Sequence, residues 1–256
     1  MFKWSDSDKI VIPVTVLIIC IIAVGLYFLT RHRSKRVKKI PLQIISVALI
    51  GLEIAKQVYF HNNPEFTYYV LPLHFCSMIL ILMPLSQLFG EKVGGVFRPM
   101  AFIYSILVFI LVLANPHALI GDSTSDIFGS FHNIHTYFFH FSVIAYLIFS
   151  IALADYEPKY RHCINVSCGI VLYTSYAVPC AYALNTNYVN ILYSYFEPLE
   201  NFRLWAGQVW YNIVLFSVAV LGACALCVLT CLIYKLIQRL KNHNKENYEK
   251  ASPRQE

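Results

Sequence analysis

Long apolar stretches separated by short polar ones dominate the chain, and the spacing repeats seven times. The stretches run Ile10–Thr30, Ile40–Phe60, Val70–Phe89, Val96–Asn115, Thr136–Ala154, Cys163–Leu184 and Val209–Leu236. Each is near the roughly 20 residues a helix needs to cross about 30 Å of hydrocarbon. The pattern predicts an all-α, polytopic membrane protein with seven transmembrane helices over residues 1–241. A polar, charged tail over 242–256 is expected to be disordered. Arg98-Pro99 opens the fourth stretch and Pro179 interrupts the sixth. The connections His61–Tyr69, Pro116–His135 and Asn185–Gln208 are the long ones. No internal repeat of the transporter kind is evident.

Composition sharpens this picture. The 256 residues are 58% apolar and only 13% charged, against about 25% charged in a soluble domain. One bundle accounts for nearly the whole length, with no room for a second folded domain. The first stretch is too long for a signal peptide, is followed by its positive block and ends without a small-residue cleavage site, so it is expected to stay in the mature protein. The formal charge is +6, and its placement carries the information. Arg31, Arg33, Lys35, Arg36, Lys38 and Lys39 follow the first stretch, Lys159 and Arg161 follow the fifth, and Lys235, Arg239, Lys241, Lys245, Lys250 and Arg254 close the chain. The segments after the second, fourth and sixth stretches hold only Arg203. By the positive-inside rule the amino terminus is expected outside and the carboxyl terminus inside, as an odd number of spans requires. The basic blocks are membrane flanks without interleaved aromatics, which argues against nucleic acid as a partner. Trp205, Trp210 and Tyr211 read as an interfacial belt. Eight cysteines lie mostly in apolar runs. Cys224, Cys227 and Cys231 share one helical face and read as small buried hydrophobes, since no second ligand pair is present to make a zinc site.

Against that apolar background a few polar side chains stand out. Ionisable groups in hydrocarbon are costly and usually face a bundle interior. Glu53 lies within the second stretch, with Lys56 and Gln57 one turn on. At 1.5 Å per residue, Gln57 and Glu53 sit roughly 5 and 10 Å below the end at Phe60. His74 and Cys76 enter the third stretch from the same side, and His140 the fifth, at similar depth. Glu53 and Gln57 share a helix face, and Lys56 can pair with Glu53 or snorkel outward. These groups either glue helices together or line a pocket. His74 and Cys76 are about 200° apart on a regular helix, so both reach one cavity only if Pro72 distorts the first turn. His135 and His140 are about 140° apart, which is not the spacing of a zinc-binding pair. No metal site and no cofactor are expected, and His140 is the stronger candidate for acid–base work.

At these residues the chain resembles a known family. The run Leu71-Pro72-Leu73-His74-Phe75-Cys76 is similar to the "LPLHLC" signature of the YwaF-type integral membrane proteins, which belong with the animal transmembrane protein 164. Glu53-x-x-x-Gln57, Pro116, His135-x-x-x-x-His140 and Asn185-Thr-Asn187-Tyr188 leading to Pro198 follow in the same order. The resemblance covers about Glu53 to Trp210. It implies a seven-helix fold related to intramembrane lipid hydrolases and, in the animal branch, a lipid acyltransferase working through a Cys and a His. Carried over, it makes Cys76 the nucleophile and His140 the base. This chain departs from the animal pattern, in which the Cys directly precedes the His: Leu73 stands there, and Cys76 follows His74 by two residues. The likeness leans toward a bacterial cell membrane.

The leading expectation is therefore an enzyme acting on lipid acyl groups, open to the outer leaflet. Cys76, His140 and His74 are its catalytic candidates, and Glu53, Gln57, His135 and Asn187 its substrate-binding ones. His74, Gln57 and Asn187 are placed to donate to a developing oxyanion, and Glu53 to orient a His. Membrane lipids are the expected partners, and nothing in the chain fixes an oligomeric state. The alternative is a non-enzymatic transporter or small-ligand-binding protein that uses the same polar cluster. A retinal-type receptor lacks its Lys in the middle of the seventh stretch, where only Lys235 occurs, at the inner end.

Overall fold

The computed structural model describes the backbone of residues 4–63 and 67–251, with side chains to residue 243. Nine α-helices occur among them: α1 (Asp6–Thr30), α2 (Lys35–His61), α3 (Met78–Gln87), α4 (Glu91–Ala114), α5 (Pro116–Ile120), α6 (Phe131–Ala152), α7 (His162–Ala183), α8 (Glu197–Ala206) and α9 (Gln208–Ala251). No strand occurs among the described residues. Five helices are long and apolar enough to cross a membrane: α1, α4, α6, α7 and the Gln208–His243 part of α9.

The other two expected spans differ for separate reasons. Helix α2 has 27 residues, which is length enough. Its basic first turns and the Glu53–Gln57 group make it too polar to stand among the five. The third stretch is not helical from its start. A 3₁₀ turn (Tyr68–Val70), an extended segment and a second 3₁₀ turn (Phe75–Ser77) precede α3, which has only 10 residues. Leu71 and His74 are extended, with ψ near 148° and 154°; Pro72, between them, can neither donate to a helix nor let its predecessor adopt helical angles easily. Where the sequence predicts disorder from residue 242, the backbone of α9 is helical as far as Ala251, and 252–256 lie outside the described residues.

Alternating directions bring two ends of the bundle together, one histidine-rich and one basic. At the basic end Gln43 donates to the Gln87 carbonyl (3.0 Å), and the Gln87 amide donates to Tyr146 (3.0 Å) and Asp155 (2.9 Å). Arg98 pairs with Asp155 and with Glu91, both at 3.2 Å, and Lys39 pairs with Glu91. One polar network thus ties α2, α3, α4 and the segment after α6, burying Gln87 with its donors satisfied. At the histidine end Ser5 and Asp8 form a capping box at the start of α1, and the buried Asp8 also accepts from Thr124 at 2.6 Å. Between these ends the core is apolar, centred on Ile79, Met83, Ile103, Tyr104, Val143, Ile144 and Tyr173. Helices α4 and α7 meet at Gly169, where an added Cβ would stand 2.5 Å from the Tyr104 hydroxyl. That hydroxyl donates to the Val166 carbonyl, so only glycine admits the contact.

Candidate functional site

The site begins with a problem of backbone chemistry. Residues 67–77 enter the bundle through two isolated 3₁₀ turns and without α-helical hydrogen bonds, and unpaired carbonyls at membrane depth cost several kcal/mol. Side chains from three other places supply the donors. Gln57 donates from α2 to the Val70 carbonyl (2.9 Å), Tyr173 from α7 to the Leu73 carbonyl (2.7 Å), and Tyr188 to the Tyr68 carbonyl. Tyr173 and Tyr188 are fully buried, and each finds here the partner a buried phenol needs. The segment that carries His74 and Cys76 is therefore held from outside rather than by its own helix.

Glu53 is the hub on α2. One carboxylate oxygen accepts from the Lys56 ammonium (2.8 Å) and the Gln57 amide (2.7 Å); the other faces His135 Nε2 on α6 at 3.2 Å. Lys56 takes the pairing course rather than the snorkelling one and is itself buried. His135, 6% exposed, lies inside the bundle and stacks on Phe139 with ring centroids 5.7 Å apart. Glu53, Gln57 and His135 are thus directly bonded into one group, and that group joins α2 to α6.

His140 lies in the next turn of α6 and is as buried as His135. Its Nδ1 lies 2.8 Å from the Thr136 carbonyl. A carbonyl only accepts, so Nδ1 carries the proton and Nε2 presents a lone pair. That Nε2 is buried and has no hydrogen-bond partner among the described residues. His140 stands within electrostatic reach of both His135 and His74. Cys76 and His74 are each within reach of Lys56. No hydrogen bond joins Cys76 to His140. His74 Nε2 meets the Tyr69 carbonyl at 3.1 Å, and its ring packs edge-on against Tyr69 (4.5 Å) and Tyr188 (5.3 Å). The extended backbone around Pro72 removes the 200° separation that a regular helix would impose on His74 and Cys76. Tyr69 and Tyr173 are both within electrostatic reach of Cys76.

Asn187 does different work. Its carboxamide oxygen accepts from the Leu192 (2.9 Å) and Tyr193 (3.4 Å) amides, and its nitrogen donates to the Tyr193 carbonyl (3.0 Å). It closes its own loop. Asn185, Val189 and Asn190 there have left-handed backbone, with φ of 47°, 51° and 60°. Asparagine tolerates that region, whereas a β-branched valine is strained in it. Helix α9 over-determines the turn: Tyr211 donates to the Asn190 carbonyl (2.5 Å) and Gln208 to the Ile191 carbonyl (2.7 Å). The result is a fixed loop that presses Tyr188 onto His74.

Lys56, Tyr173, Tyr188 and Tyr69 complete the neighbourhood, and sequence reasoning gave none of them a site role. For the tyrosines the available signal was a phenol deep in an apolar stretch or beside an Asn-rich turn, where a buried hydroxyl demands an acceptor. No His, Cys, Asp or Glu group among the described residues has an arrangement that would hold a metal ion.

The sequence model described as the TMEM164 family matches residues 1–234 of the chain. No curated protein and no solved structure matches it. Together with the five apolar helices, the family match makes this an integral multi-pass membrane protein.

Proposed function

This chain belongs to the TMEM164 family, and from that premise we propose that it is a seven-span enzyme of lipid acyl chemistry. The observation that carries the reading is the buried, unpartnered Nε2 of His140, whose ring is fixed by Nδ1–H to the Thr136 carbonyl. An imidazole so held is a base waiting for a proton donor. In the proposed reaction the thiol of Cys76 loses its proton to His140, and the thiolate attacks a lipid ester carbonyl. A carbon–sulfur bond forms, the ester carbon–oxygen bond breaks, and His140 returns the proton to the departing alkoxide. The acyl group then passes from sulfur to an acceptor hydroxyl, or to water, with His140 again taking the proton.

The remaining residues support that chemistry by position. The developing oxyanion is met by backbone amides at the start of the Phe75–Ser77 turn, because Gln57 spends both amide hydrogens on Glu53 and the Val70 carbonyl and His74 spends its Nε2 proton on the Tyr69 carbonyl, so that these two side chains position the segment. Glu53 and Lys56 keep a closed ion pair beneath, and His135 extends it. Asn187 enters as a substrate-side group of the loop over His74. In this proposal α2 and the α3 segment complete seven spans, the amino terminus lies outside, and the site opens to the outer leaflet. The membrane is the bacterial cell membrane toward which the YwaF-type likeness leans.

The test is turnover of ester-linked phospholipid by the reconstituted protein. Wild type is expected to release lysolipid or transfer the acyl chain, and to yield a thioester at Cys76 visible by mass spectrometry. His140→Ala and Cys76→Ala should each lower the rate by about 10²-fold or more. Full activity in both variants would overturn the assignment. A second reading, a transporter, draws support from the half-helix α3 and its non-helical entry, since broken helices at membrane depth are typical of solute sites. Solute flux without lipid turnover would select it.

A further inference from the structure

A second cluster of reactive side chains lies at the basic end, between α7 and α9, and has no part in the proposed lipid chemistry. Helix α9 presents Ala219, Ala223, Cys227 and Cys231 at four-residue steps. Ala223, Cys227 and Cys231 are all buried. Small side chains in such a row let two membrane helices approach closely. The register of the pair is set by Ser167 Oγ on α7 and Cys224 Sγ on α9, 3.0 Å apart. Because the helices run antiparallel, one turn back along α7 is Cys163, opposite the next turn of α9. Counting from the Ser167–Cys224 contact sets Cys163 against Cys227 across the seam, and Cys227 is within electrostatic reach of both Cys163 and Cys231. Tyr156 is within electrostatic reach of all three thiols, and its hydroxyl meets His162 Nδ1 at 2.9 Å. Every cysteine of the chain is free, Cys163 is partly exposed in the first turn of α7, and Lys159 and Arg161 just precede it.

We propose that Cys163 and Cys227 form an oxidation site, at which a peroxide converts two thiols into a disulfide that ties α7 to α9. The peroxide oxidises the more accessible Cys163 thiol to a sulfenic acid and leaves as water. The Cys227 sulfur then attacks the Cys163 sulfur. A sulfur–sulfur bond forms, the sulfur–oxygen bond breaks, and the oxygen departs as a second water with the Cys227 proton. The two thiols lose two electrons, and the peroxide gains them. Geometry selects this pair. Residues four apart on one helix have Cβ atoms about 5–6 Å apart, too far for the roughly 3.8 Å that a disulfide requires. That excludes Cys227–Cys231 and leaves Cys231 a thiol. A partner on the facing helix carries no such restriction.

The experiment treats the full chain in proteoliposomes with hydrogen peroxide, alkylates the remaining thiols and reads disulfide-linked peptides by mass spectrometry without reduction. The expected product is one peptide pair joined through Cys163 and Cys227, two hydrogens lighter than the separate peptides and cleaved by dithiothreitol. Cys231→Ser should keep that product; Cys163→Ser and Cys227→Ser should lose it. Because the wild-type digest alone reports the link, an unstable variant does not decide the outcome. Thiol loss without the linked pair, or a pair that contains Cys231, overturns the proposal.

Discussion

Replacing Glu53 with leucine removes the acceptor on which three donors converge. The Glu53 and Lys56 side chains are 12% and 10% exposed, so the ammonium left behind has little water to turn to. Removing one partner of a buried pair typically costs about 3–5 kcal/mol, because the other charge is stranded. Lys56 is near a helix end and recovers part of that by extending its stem outward, so the expected loss is about 2–3 kcal/mol. At roughly 2–4 °C per kcal/mol for a chain of this size, Glu53→Leu should melt about 4–12 °C below wild type. Thermal unfolding in detergent is the assay. The double variant Glu53→Leu/Lys56→Leu has no stranded charge and should recover most of the difference, since apolar replacement of a buried pair is often neutral. If Glu53→Leu melts with the wild type, the carboxylate does not hold α2 to α6. If the double variant melts below the single one, Lys56 has a partner other than Glu53.

Further expectations follow from the same contacts. Tyr173→Phe strips the donor from the Leu73 carbonyl; a loss of about 1 kcal/mol in detergent stability is expected, with a larger fall in lipid turnover than in stability because the displaced segment carries His74 and Cys76. Asn187→Ala should loosen the 187–193 turn, seen as faster amide exchange at Leu192 and Tyr193, whereas His140→Gln should leave that exchange unchanged and abolish turnover. Outside the membrane segments, Arg203 and the Ser194 amide hold the Glu200 carboxyl down at about 2, against an ordinary 4.5. A depressed carboxyl stabilises the folded turn above its ordinary value and ceases to do so as pH falls through its folded one. Exchange at the Ser194 amide should therefore stay slow at pH 4 and quicken toward pH 2, and Glu200→Gln should exchange quickly at both. Unchanged protection at pH 2 would refute the clasp.

How far the sequence anticipates this site differs residue by residue. Six of the seven apolar stretches lie within helices to within two residues at their ends, because a long apolar run in membrane has few other ways to satisfy its backbone. Five of those helices also meet the length and apolarity of a span. The exception is the stretch with Leu-Pro-Leu-His-Phe-Cys, where composition alone is blind to backbone shape: the run is as apolar as its neighbours, and only Pro72 signals the extended entry. Depth along the membrane normal was readable by counting residues, which is why Glu53, Gln57, His135 and His140 occur together at the histidine end. Which of them touch was not, since contact depends on helix rotation. Counting left open which histidine the Glu53 carboxylate orients; the structure gives that bond to His135 and leaves His140 Nε2 open. Asn187 sat in a suggestive motif, yet whether a carboxamide serves a ligand or its own turn depends on φ values that a single sequence does not display.

Helix α9 has 44 residues, which at about 1.5 Å per residue is roughly 66 Å, more than twice the hydrocarbon thickness. Such a rod cannot be wholly immersed. The first turn of α9, through Gln208 and Tyr211, is also the anchor of the loop that seats Tyr188 on His74. A stiff shaft fixed at one end to that loop and longer than the hydrocarbon is thick is a lever: torque applied to its far turns has a mechanical path to His74.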